Sequence, residues 1–359
     1  MTAADTPAGK LRAGGWAKAR RSPVIVLGAL LATLVIVALA AASIGAAGIP
    51  LHRLMAAAGL SVGDPELIAR DRLVLWSIRL PRIVLASMVG ALLAAAGAIM
   101  QGLFRNPLAD PALVGVSSGG ALAATSTIVV GDRLGIPLPF ELLPIAAFVG
   151  ALSATSALYS IATRESRTSA AIFLLGGLAI AALANAGIGL LVFVADDRQL
   201  RDITFWMLGS LGGATWPKAV AIAPFTAMLV VAVPLMARGL DLLVLGEAEA
   251  FHMGVEVERL KRYAILLVSA ITGAAVAVAG VIGFVGIVVP HLLRLMIGPG
   301  HRLLLPASVV LGAILMVGAD TGARMLAAPA EVPIGILTAA IGAPFFLAIL
   351  LRQRSVASL

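Results

Sequence analysis

Residues 83–100 run without a single charged side chain, and no other feature limits the possible folds of this chain so strongly. At ~1.5 Å per residue, such a run crosses a hydrocarbon core of about 30 Å as a helix. Small residues recur along it at Gly90, Ala94, Ala98 and Gly102. That stripe lets neighbouring helices approach closely and predicts a packed bundle, not a lone anchor. Asn106-Pro107 and Asp110-Pro111 follow. Each proline drives its predecessor out of the α region, so the helix stops and a second apolar segment begins beyond it. The pattern alone leaves open whether this break is an ordinary loop or part of a pathway.

The segment has a second copy. Laying residues 87–99 over 270–282 matches Gly90 with Gly273, Ala91 with Ala274, Ala94 with Ala277, Ala96 with Ala279, Gly97 with Gly280 and Ile99 with Ile282. In the same register Arg79 falls on Arg262 and Pro107 on Pro290. Alanine matches arise easily in a chain this rich in alanine; glycines and a proline in register do not. Internal repeats of this kind build many transporters.

Composition agrees with this reading. The 359 residues are 60% hydrophobic and 12% charged, with a mean hydropathy of +1.05, far from a soluble domain. The fold class expected is an all-α polytopic membrane protein. Residues 1–22 form a basic cytoplasmic tail carrying Lys10, Arg12, Lys18, Arg20 and Arg21. The apolar run 24–45 is too long for the core of a cleaved signal peptide and reads as an uncleaved first helix. Further spans fall at roughly 80–101, 113–130, 141–163, 169–195, 217–237, 262–282, 284–297, 303–325 and 333–351. They give ten transmembrane helices in a single domain over 23–353, a cytoplasmic segment at 238–261, and a cytoplasmic tail at 354–359. Most of the 26 Lys and Arg lie on the cytoplasmic side of this arrangement, as the positive-inside rule requires, with both termini cytoplasmic. The net charge of +8 is a by-product of that bias and not a nucleic-acid signal. The repeated segments are spans two and seven, which cross in opposite directions. An inverted internal repeat of helices 2–5 and 7–10 follows.

What the sequence lacks narrows the function. Without cysteine there is no disulfide or thiolate metal site, and no other metal site is expected. No phosphate-binding G-x-x-x-x-G-K-[ST] loop occurs, so ATP is not bound here in the usual way. Asp320, near the outer end of span nine, stands four residues before Arg324, the spacing of a helical ion pair. His291 is the only candidate for a proton relay. A transporting chain of this kind draws its power from another subunit. An ATP-independent carrier or channel is the alternative, and a membrane enzyme is disfavoured because no nucleophile–base pair or His/Glu cluster lies in the spans.

Several long motifs carry a resemblance: RLPR at 79–82, GAIMQGLFRNPLADP at 97–111, LVGVSSG at 113–119, TFWMLGSLGGATW at 204–216, GFVGIVVPHLLR at 283–294 and EVPIGILTAAIGAPFF at 331–346. Over about residues 24–351 the chain resembles the permease family for iron-siderophores, haem and vitamin B12, the type II ABC importers. The stretch 195–216 is most similar to haem permeases. The resemblance implies ten helices per subunit and a homodimer around a central pathway in the bacterial inner membrane. It also implies two cytoplasmic ATPase subunits that hold the ATP, and a periplasmic binding protein. Haem would be cargo, with no permanently bound cofactor; ferric siderophore and B12 are the alternatives.

The resemblance also assigns sites. Asn106 and Leu108 in the first break, and Thr168 and Ser169 at the start of span five, match cytoplasmic gates. A gate built from loops can part without tearing a helix, because its polar backbone faces a cavity. The plainer role for Thr168 or Ser169 is a helix cap. The coupling segment, from Leu245 and Gly246 through Glu247, Ala248, Glu249, Ala250, Phe251, His252 and Met253 to Gly254, matches the surface that receives the ATPase. Its residues 247–253 read as a short helix stopped by glycine; the alternative is an interfacial helix lying on lipid. Arg79, Arg82 and Arg324, at outer span ends, match the arginines that meet binding-protein carboxylates; otherwise they snorkel to headgroups. Arg201, before Phe205-Trp206 in the outer connection, would face its twin across the dimer axis and meet the two haem propionates, or else pair with Asp197 or Asp202.

Overall fold

The computed structural model describes residues 22–45, 48–62, 64–133, 142–164, 167–328 and 330–357. Seven of its helices are long and apolar enough to cross a membrane, and three shorter apolar helices lie at 116–131, 285–297 and 334–349. Together they occupy the ten positions expected from the sequence. They comprise α1 (Pro23–Ser43), α4 (Leu80–Leu103), α5 (Val116–Arg133), α6 (Leu142–Ala162), α7 (Ala170–Val194), α9 (Trp216–Leu243), α11 (Val257–Ala279), α12 (Val285–Ile297), α13 (His301–Leu326) and α14 (Ile334–Ala357).

The remaining elements are short, and most fall where the sequence reads as connection. They are α2 (Leu51–Ala57), α3 (Pro65–Val74), α8 (Asp197–Met207) and α10 (Glu247–His252), with a two-residue hairpin of β1 (Thr163–Arg164) and β2 (Arg167–Thr168). Two corrections follow. First, α3 runs through a π-helical turn (Leu75–Arg79) directly into α4, so the second span begins at Pro65 and not near 80. Asp64 caps α3 by accepting from the Glu66 N–H at 2.9 Å, with proline at the first helical position. Trp216 donates its indole N–H to the Trp76 carbonyl at 2.8 Å across the π turn. Secondly, the charged outer connection at 195–202 is the start of helix α8. Asp196 accepts from the N–H groups of Arg198 and Gln199, and Gln199 reaches back to the Asp196 N–H, a complete capping box. At the other end of the chain, α14 continues to Ala357, into the expected tail.

Helix α4 is the centre of the bundle: its apolar window is 83% buried, against 6% for α1. It packs against α9, α11, α12 and α13. Gly90 meets Gly312 of α13 so closely that a Cβ on either would stand 2.2–2.3 Å from the other's carbonyl oxygen. Gly97 meets Gly286 of α12, where a Cβ would fall 1.9 Å from the carbonyl oxygen. The counterpart of α4 in the second half is α11, which packs on α5 and α6, with Gly273 against Ala151 and Phe148. The small-residue stripes therefore join the halves to one another: the first helix of each is lodged among helices of the other.

Candidate functional site

The expected coupling segment is a short helix held between two glycines. Helix α9 runs six residues beyond its expected end at 237, to Leu243. Gly246 then takes φ 130° and Gly254 φ 86°, conformations that favour glycine. Between them Ala250 is the fully buried residue of α10. Val244, Leu245, Phe251 and Met253 stand exposed beside it, and Ala248, Glu249 and His252 are exposed as well. A single buried alanine under a cluster of exposed large apolar side chains suits contact with a partner surface or with lipid.

The two expected gate segments differ in construction. After α4, Asn106 accepts the Leu108 N–H at 3.0 Å, closing an Asx turn, and Arg105 adopts a left-handed φ of 50°. A 3-10 turn (Pro111–Val114) capped by Asp110 leads into α5. The turn into α7 is the β1–β2 hairpin, with Thr163 opposite Thr168. Ser169 accepts the Ile172 N–H at 3.4 Å, so the helix-cap role exists there. One link between the segments has no mark in the sequence. Phe104 at the end of α4 stacks on the fully buried Phe173 in the first turn of α7, with centroids 5.5 Å apart. The two segments thus share one aromatic clamp.

On the opposite side, Arg79 and Arg82 meet Arg324 of α13, which comes from the far end of the chain. Arg82 is 8% exposed. It donates from Nε and Nη2 to Asp320 at 2.9–3.0 Å and from Nη1 to Glu331 at 2.7 Å. Arg324 lies 3.2 Å from Asp320, the expected i,i+4 pair. Buried Arg79 donates to the Ala42 carbonyl, and its guanidinium approaches Gly45 together with that of Arg324. Arg82 is thus engaged by carboxylates of its own chain, and a docking partner would have to compete with them.

Arg201 is exposed on α8 and makes no ion pair with Asp197 or Asp202; the ion pairs among the described residues lie elsewhere. A cavity of about 220 Å³ beside it is lined instead by Asp202, Phe205 and Trp206 of α8 and Lys218 of α9. Lys218, which sequence reasoning passed over, donates to the Gly213 carbonyl at 2.8 Å. His291 stands edge-on to Phe345, with centroids 5.9 Å apart.

The fold is an all-helical membrane bundle with an interlocked repeat and one short exposed helix, α10, set between two glycines. The chain belongs to the FecCD transport family, whose model matches residues 30–352. It is 44% identical over 339 residues to the hemin transport system permease protein of Yersinia pestis, covering 93% of this chain and 98% of that protein. It is 45% identical over 303 residues to the cobalamin import system permease protein of Halobacterium salinarum, covering 84% and 79%. Among solved structures, an inward-facing metal-chelate type ABC transporter superposes with a TM-score of 0.80 at 32% identity, covering 91% of this chain and 99% of that one. The chain is accordingly an integral membrane permease of the ABC-importer type, in a family whose ATPase is a separate subunit.

Proposed function

We propose that the chain is the translocating subunit of an ATP-driven haem importer, moving haem from periplasm to cytoplasm by alternating access. The observation that carries the reading is the near full-length similarity to a hemin permease. In this proposal two copies form the pathway in the bacterial inner membrane, with both termini cytoplasmic. Two ABC ATPases dock at α10 and hydrolyse ATP, and one periplasmic binding protein delivers cargo near Arg79, Arg82 and Arg324. Asn106, Leu108, Thr168 and Ser169 serve as gates. The chain carries no resident cofactor; haem is cargo. The cobalamin permease similarity favours a second reading, in which the cargo is vitamin B12; a ferric siderophore is a third. Uptake of hemin and of cobalamin into cells with and without the chain, under iron limitation, separates them: hemin uptake should depend on the chain and cobalamin uptake should not.

Two predictions test individual sites. Arg201→Ala should lower hemin import about tenfold, the loss of one charge-assisted contact worth ~1.5 kcal/mol, without changing assembly with the ATPase. Equal damage from Asp197→Ala would make Arg201 structural. Leu108→Arg should alter either import or cargo-free ATP hydrolysis, since a charge is added to a half-buried loop position; wild-type values of both would remove Leu108 from the gate.

A further inference from the structure

Among the described residues, the Lys261 ammonium touches α10, the β1–β2 hairpin and a neighbouring carboxylate of its own helix α11 together. Lys261, in the first turns of α11, is 6% exposed. Its Nζ donates to Glu247 of α10 at 2.8 Å, to Glu258 one turn earlier in α11 at 3.0 Å, and to the Thr168 carbonyl of β2 at 3.3 Å. These use all three donors that an ammonium has. Glu258 completes the ring by accepting the Thr168 N–H at 3.0 Å through its other oxygen. Both backbone groups of Thr168 are therefore held by side chains of α11. Thr168 also shares a hydroxyl contact with Thr163 at 3.1 Å, which closes the hairpin.

We propose that Lys261 is the positioning residue that transmits displacement of α10 to the gate hairpin β1–β2. The inference rests on the reading that α10 receives an ATPase. Three features support transmission over simple cohesion. The glycines at 246 and 254 allow α10 to shift as a unit. Helix α11 is deeply packed, its apolar window 72% buried, so it serves as the fixed post. The hairpin pairs only Thr163 with Thr168 and Arg164 with Arg167, and its hold on the post runs through Glu258 and Lys261. A shift of α10 moves Glu247, and the shared ammonium must then redistribute its bonds between α10 and the Thr168 carbonyl. In a low-dielectric site such a shared charge links its partners more strongly than it would in water.

The test uses the absence of native cysteine. With Ser169→Cys as reporter, in proteoliposomes holding the permease and its ATPase, maleimide labelling is followed with and without ATP. In the otherwise wild-type chain ATP should change the labelling rate about tenfold, within the usual span of coupling between sites. Lys261→Met should abolish that difference while the ATPase still copurifies, and Lys261→Arg should restore most of it. Glu247→Gln cuts only the α10 arm at a half-exposed carboxylate and should abolish it too, which decides the matter if Lys261→Met does not fold. A full ATP response in Lys261→Met or in Glu247→Gln overturns the proposal. So does loss of the ATPase from Lys261→Met, which makes the lysine a support of the docking face. If the wild-type chain captures no ATPase at all, it is the reading of α10 that fails, and the proposal falls with it.

Discussion

Arg82→Ala is expected to destabilise the protein by about 3–5 kcal/mol, the cost of leaving the buried Asp320 carboxylate without its main cation. Asp320 is 3% exposed and receives three of the four Arg82 contacts; Glu331 receives the fourth. Arg324 stays within 3.2 Å of Asp320, so part of the charge remains compensated and the loss should fall towards the lower end. The measurement is the thermal unfolding midpoint in detergent, together with the yield of monodisperse protein. Arg82→Met combined with Asp320→Leu removes this pair and should recover part of the loss, because apolar replacement of a buried pair is often near neutral while Arg324 gives up its Asp320 partner. A purely docking role gives the opposite pattern: an unchanged midpoint and weaker, salt-sensitive capture of a binding protein, since salt screens exposed charges far more than buried ones.

Gly97→Val should be at least as damaging. A Cβ at Gly97 would stand 1.9 Å from the Gly286 carbonyl oxygen and 2.4 Å from the Gly286 Cα. Backbone cannot rotate aside as a side chain can, so α4 and α12 must separate along their crossing. Overpacking of this kind costs about 3 kcal/mol or more, and the close backbone approach that lets helices associate in a bilayer is lost as well. The comparison is Gly318→Ala in α13, where a Cβ would meet nothing within 4 Å. That variant should unfold at the wild-type midpoint. A Gly97→Val protein as stable as its parent would mean that α4 and α12 do not cross as described.

Much of this fold is written in local pattern. Uncharged runs fix where a chain can cross the bilayer, and the glycines in register at 90 and 273 announce close helix contacts. Local pattern also held signals that charge concealed. Residues 64–66 and 196–199 are helix starts, Asp-Pro-Glu and a capping box, yet their charged neighbours read as connection. The π turn at 75–79 carries no sequence mark, because it depends on what its freed carbonyls meet, here Trp216. The rest is long-range. Nothing near Arg82 names Asp320 or Glu331 as its partners, and nothing near Thr168 points to Glu258 or Lys261. Those pairs exist only because the second half of the chain folds back onto the first. The gate and coupling segments are legible as motifs; the contacts that join them are not.

The interlocking of the two halves bears on how the protein is made. Every helix that α4 packs on extensively, α9, α11, α12 and α13, is synthesised after it. As the chain leaves the ribosome, α4 must therefore wait in lipid with its glycine and alanine face uncovered, apolar enough to stay inserted but without its eventual neighbours. Only when α13 arrives can Gly90 meet Gly312 and Arg82 meet Asp320. A polypeptide ending before residue 301 would thus lack α13, and with it the Gly312 and Asp320 contacts that complete the burial of its central helix.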